Sequence, residues 1–323
     1  MTATASGMNL TALAGRIAAE LARADEAKPV RATGLAMLAA TDARAGRPVH
    51  SAPGARTLSS PPGVSFTRDQ SRIADFIDHT VLKPETTRQE IEQLCAEAAE
   101  HRFAAVCVNP VWVPLCTTLL KSAGVKIATV IGFPLGCNQP AIKAAEARLA
   151  VEQGADELDM VAALGQIKSG DWAAVASDIA AVVQASEGRL VKVILESAAL
   201  TPVEIIKATA LAREAGAQYV KTSTGFHAAG GASAEAVALM RLVVGDSMGV
   251  KASGGVRDCG TALKMIGSGA TRIGTSSGVA MAKCLGPGPL PLRELLASPN
   301  AHAGRCSTGA CQDDATVPAT KQY

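Results

Sequence analysis

The chain has 323 residues, 48% of them apolar and 3% aromatic, with 31 Lys and Arg against 29 Asp and Glu for a net charge of +2. So few rings leave no platform for stacking bases, and so little net charge leaves no field for a phosphate backbone, which argues against a nucleic-acid partner. The apolar runs near 104–115 and 127–135 are short of the roughly 18 residues of a membrane helix and are broken by Pro or Gly, which argues against a bilayer span.

Residues 1–70 read as an extension, helical or disordered. Leu10, Leu13, Ile17 and Leu21 fall at helical spacing and make an amphipathic arm, and a linker rich in Ala, Gly, Pro, Ser and Arg follows from about 29. Its Arg and Ser content admits an organelle-targeting role, which Glu20, Asp25, Glu26, Asp42 and Asp69 oppose. From 71 to 297 the rhythm changes. Runs suited to strands occur at 77–82, 104–109, 126–133, 157–164, 191–197, 219–225, 250–255 and 272–276, and most are followed by an Ala, Leu and Glu-rich helical stretch. Two helix starts are legible: Thr86 opens a helix to His101 with Ile91, Leu94 and Ala98 on one stripe, and Thr201 stands before Pro202 as an N-cap.

Strand starts 22 to 34 residues apart have the spacing of βα units, and eight such units in 227 residues fit an α/β fold of the (β/α)₈ TIM-barrel type. An open doubly wound sheet is the alternative, but a barrel leaves no exposed parallel edge. Residues 298–323 are small, polar and aperiodic, and read as a mobile tail. Eight cysteines without a CxxC pair read as reduced thiols. The five histidines lack HxH or HxxxH spacing, so no metal site built on neighbouring histidines is expected.

In a barrel the chemistry sits at the C-terminal strand ends. Lys221 in YVKTSTGF and Lys251 in GVKASGG lie in consecutive apolar strands, and alternation points Lys221 with Ser223, and Lys251 with Ser253, into the barrel. Strands about 4.8 Å apart bring the two ammonium groups close. A like charge and desolvation then favour the neutral amine that attacks a carbonyl to form a Schiff base, whereas the bland alternative is two structural ion pairs. Asp159, Glu196 and Asp78 are the carboxylates expected at that level, with Asp159 as a proton shuttle or as the anchor of Lys251. Glu157 and Lys192 are assigned to a structural pair at the barrel bottom, and Cys107 to the cavity lining or to plain filler. Gly225, Gly254, Gly255, Gly274 and Ser276 cluster at the ends of strands six to eight, where barrel enzymes commonly bind phosphate.

The segments IDHTVLKPETT, VCVNP, VIGFPLG, GADELDMV, VKVILES, GAQYVKTSTGF, VKASGGVRD and RIGTSSG, in this order over roughly 73–280, closely resemble the deoxyribose-phosphate aldolases, Schiff-base aldolases with a TIM-barrel fold. The resemblance implies that Lys221 forms the imine, that Lys251 perturbs its pKa, and that Asp159 takes part in proton transfer. It implies phosphate held near Gly225, Gly254, Gly255, Gly274 and Ser276, and beside these Asp78, Cys107, Glu196 and Thr224 are expected in supporting roles. The implied reaction is the reversible cleavage of 2-deoxy-D-ribose 5-phosphate to D-glyceraldehyde 3-phosphate and acetaldehyde, with no metal or organic cofactor. The implied partners are therefore small sugar phosphates and aldehydes, and the implied role is deoxyribonucleoside catabolism in the cytoplasm. Another phosphate-binding barrel aldolase or isomerase, or a non-catalytic sugar-phosphate binding protein, are the competing readings. A homodimer is one assembly the sequence admits. The 1–70 extension and the tail with Cys306, Cys311 and Tyr323 lie outside the resemblance.

Overall fold

Parallel strands must be covered on both faces, and here they are covered by closing on themselves within a ring of helices. The computed structural model describes residues 72–289, so the extension 1–70 and the tail 298–323 lie outside the described residues. Eight parallel strands run in chain order: β1 (Ile77–Val81), β2 (Ala105–Val108), β3 (Lys126–Ile131), β4 (Glu157–Val161), β5 (Leu190–Ile194), β6 (Tyr219–Lys221), β7 (Gly249–Ser253) and β8 (Arg272–Thr275). The barrel closes where β8 pairs with β1, with Ile77 opposite Ile273 and Asp78 opposite Gly274.

The helices alternate with the strands as expected: α1 (Arg88–His101), α2 (Val113–Leu119), α3 (Pro140–Glu152), α4 (Leu164–Ser169), α5 (Trp172–Ala185), α6 (Pro202–Glu214), α7 (Ala234–Val244), α8 (Cys259–Gly267) and α9 (Gly278–Leu285). Local sequence explains their starts. Thr87, one residue after the expected Thr86, caps α1, its side chain accepting from the Glu90 N–H while the Glu90 carboxylate accepts from Thr87 N–H at 2.7 Å. Thr201 and Glu204 repeat this capping box ahead of Pro202 at α6. Outward strand residues such as Val106, Leu158, Val193, Val220, Val250 and Ile273 are fully buried beneath these helices.

Several strands are shorter than the apolar runs that predict them, and the difference lies at the functional end. The run 191–197 yields a strand that ends at Ile194, because Glu196 adopts a left-handed backbone at φ 57°. Alternation therefore stops before Glu196, which does not join Lys192 and Ile194 as an inward-facing group. The run 219–225 likewise leaves the ladder after Lys221, and its last residues form a loop over the barrel mouth.

Candidate active site

Register decides which inward side chains meet. Lys221 is the direct neighbour of Lys251, and Asp159 is the direct neighbour of Lys192. The inner lysines converge on one carboxylate: Asp159 Oδ2 accepts from Lys221 Nζ at 2.9 Å and from Lys251 Nζ at 2.8 Å, while Oδ1 accepts from Lys192 Nζ at 2.8 Å. Lys251 also donates to Asp78 at 2.5 Å, Lys192 donates to Glu157 at 2.5 Å, and Arg272 bridges Asp78 and Glu157. Four cations thus face three carboxylates inside the barrel.

That surplus of one positive charge does not fall evenly. Lys192, Lys251 and Arg272 each touch two or more carboxylates, whereas Lys221 pairs with Asp159 alone. Of the three lysines, only Lys221 keeps any solvent exposure, at 2%. Burial by itself pulls Lys251 down, but the charges of Asp159 and Asp78 outweigh it and hold its pKa well above the ordinary lysine value. Lys251 is therefore a fixed cation. Burial pushes Asp159 up, but Lys192, Lys221 and Lys251 together hold it well below the usual carboxylate range, so it stays an anion at neutral pH.

The other half of the interior is apolar. Leu82, Ala105, Cys107, Ala128 and Val130 form one cluster, and Phe133 and Phe226, in edge-to-face contact at 5.2 Å, pack against it. Cys107 stands on the border, its Sγ 3.9 Å from Asp159 Oδ2, and burial pushes its thiol pKa up. An amine at a polar and apolar boundary suits a substrate that is a carbonyl at one end and a hydrocarbon beside it.

At the mouth, the Glu196 carboxylate accepts from Thr224 Oγ1 at 2.5 Å and from Thr224 N–H at 3.3 Å, clasping the loop after β6. Gly225 and Gly254 take left-handed φ values of 86° and 83°, and a Cβ on Gly231 would sit 2.1 Å from the Gly254 carbonyl oxygen. The loops after β6 and β7 therefore meet backbone to backbone, with Gly255 exposed beside them. Gly274 lies in β8, where a Cβ would come within 3.0 Å of Lys251 Cε and 2.9 Å of Ser253 Cβ. Ser276 is exposed ahead of α9.

The structure thus brings Lys221, Lys251, Asp159 and Asp78 together, puts Cys107 at their edge, and sets Glu196 and Thr224 apart as a loop clasp. The Glu157–Lys192 pair forms as expected, but Lys192 also reaches Asp159, because β5 begins at Leu190 opposite Glu157 and so raises Lys192 to the Asp159 level. Arg272 was missed by sequence reasoning. The alternation that points Gly274 inward points Arg272 inward too, and that signal could have found it. Among the described residues no group of three His, Cys, Asp or Glu side chains is arranged to hold a metal ion.

Residues 72–283 match the family model described as DeoC/LacD family aldolase. A deoxyribose-phosphate aldolase of Streptococcus suis is 55% identical over 210 residues, 65% of this chain and 95% of that protein. One from Halalkalibacterium halodurans is 57% identical over 211 residues, covering 65% and 94%. Among solved structures, the tetrameric deoxyribose phosphate aldolase of Aeropyrum pernix superposes with a TM-score of 0.60 at 37% identity, over 64% of this chain and 88% of that one. With the barrel, its inner lysines and the match over 72–283 in agreement, the chain belongs to the DeoC/LacD family of aldolases.

Proposed function

We propose that the chain catalyses the reversible cleavage of 2-deoxy-D-ribose 5-phosphate to D-glyceraldehyde 3-phosphate and acetaldehyde through a Schiff base on Lys221. The observation that carries this reading is the sharing of one Asp159 oxygen by Lys221 and Lys251. Lys251, held charged by Asp78 and Asp159, keeps a permanent cation beside Lys221. The neutral amine attacks the substrate aldehyde, and loss of water leaves an iminium. A base removes the proton of the 3-hydroxyl, the bond between carbons 2 and 3 breaks, and its electron pair flows into the iminium to give an enamine. Glyceraldehyde 3-phosphate leaves at that point. Protonation of the enamine carbon and hydrolysis release acetaldehyde and restore Lys221. Its contact with both nitrogens supports Asp159 as the group that relays these protons.

The phosphate is assigned to the mouth of β6 to β8, at Gly225, Gly254, Gly255 and Ser276, where backbone N–H groups and the α9 N-terminus favour an anion. Gly274 contributes there chiefly by leaving room for Lys251. The Glu196–Thr224 clasp fixes the β6 loop in support. Deoxyribonucleoside catabolism, in keeping with the substrate in the relatives' names, and a homo-oligomeric assembly, in keeping with the tetramer of Aeropyrum pernix, complete the proposal, with the cytoplasm as the proposed location.

Incubation with acetaldehyde and borohydride tests the assignment directly. Peptide mass mapping is expected to find a reduced two-carbon adduct on Lys221. An adduct on Lys192 or Lys251, or none, ends it.

A further inference from the structure

Away from the barrel mouth, α1 and α2 each carry one buried cysteine at their contact. Cys95 on α1 and Cys116 on α2 are 2% and 0% exposed, lie 21 residues apart in sequence, and place their sulfurs 3.7 Å apart. A disulfide needs about 2.05 Å between sulfurs, against the 3.7 Å that separates these two thiols. Neither thiol belongs to the aldolase chemistry, and both helices follow strands whose ends line the site, β1 with Asp78 and β2 with Cys107.

We propose that Cys95 and Cys116 form a dithiol that a peroxide oxidises to a disulfide stapling α1 to α2. Hydrogen peroxide is small and uncharged, so a brief local opening between the two helices admits it. The Cys95 thiolate attacks one peroxide oxygen, the O–O bond breaks, and Cys95 becomes a sulfenic acid as hydroxide leaves. The Cys116 sulfur then attacks the Cys95 sulfur and displaces the sulfenic oxygen as water. Two thiols lose two electrons, and one peroxide with two thiol protons becomes two waters. Cys137 is exposed, and its sulfur contacts the Leu135 carbonyl rather than a second thiol.

The test uses the full chain, treated with hydrogen peroxide, quenched with catalase, alkylated under denaturing conditions and digested with trypsin without reductant. The expected product joins residues 89–102 to residues 103–121 and is two hydrogens lighter than the separate peptides. Because the second peptide holds both Cys107 and Cys116, fragment ions must place the bond on Cys116. Closing a 21-residue loop should raise the Tm by roughly 5–12 °C, and dithiothreitol should reverse the rise. Cys116→Ser and Cys95→Ala should each abolish both the linked peptide and the rise, and two variants guard against one that fails to fold. Full alkylation of both thiols after peroxide, overoxidation of Cys95 to a sulfinic acid, or linkage to Cys107 or to a second chain would overturn the proposal.

Discussion

Asp159 is the residue on which the inner charges depend, since three lysines donate to its two oxygens at 2.8 to 2.9 Å. Replacing it with Asn keeps the shape but removes the negative charge, leaving Lys221 without an anion and Lys251 with only Asp78. Turnover of the deoxyribose phosphate in Asp159→Asn is expected to fall by about 10²–10⁴-fold, the range for a lost acid–base group. Steady-state kinetics check it: an unchanged kcat would reduce Asp159 to a structural counter-ion. Arg272 shows the same logic from the other side, because it bridges Asp78 and Glu157, each of which also holds a lysine.

Element by element, strand ends and helix caps carry separable tasks. Gly274 sits in β8 opposite both Ser253 of β7 and Asp78 of β1, and its missing side chain is filled by the stem of Lys251. Gly274→Ala should displace Lys251 and lower kcat on the order of 10²-fold if the shift approaches an ångström, with little change in KM. A variant with normal kcat would show that the strand yields instead. Thr201→Ala is the contrast. It removes the capping-box acceptor of α6, on the barrel's outer layer, and should cost about 1 kcal/mol in urea unfolding while leaving kcat unchanged. Loss of activity in that variant would mean that α6 positions the β6 lysine.

For the whole molecule, a charged barrel interior makes stability depend on pH at both ends. Asp78 and Asp159 are held below the unfolded carboxylate value of about 3.9, so their contribution is fully present above that pH and is lost as the pH falls through their folded values. Lys192 and Lys251 are held above the unfolded lysine value of about 10.4, so theirs is present below that pH and is lost as the pH rises through their folded values. The urea midpoint is expected to be flat between about pH 5 and 9.5 and to fall outside this range, with a shallower acid limb in Asp159→Asn. A midpoint that climbs steadily across neutral pH would contradict the charge assignments.

Much of this protein is a property of short windows. The eight strands, the Thr201 cap before Pro202, and the inward pointing of Lys221, Lys251 and Asp159 follow from period and local propensity, because alternation and capping act over a few residues. Glu196 escaped that reasoning because one left-handed backbone angle ends the alternation, and its partner Thr224 lies 28 residues away. Only barrel closure could decide the charge pairing. Asp78 meets Lys251 across 173 residues and Arg272 across 194, because β8 returns to β1, and no local pattern ranks partners that far apart. The sequence by itself determined that Lys221, Lys251 and Asp159 face inward; the tertiary structure determined who neutralises whom, since Coulomb energy depends on distances that exist only once the ring is shut.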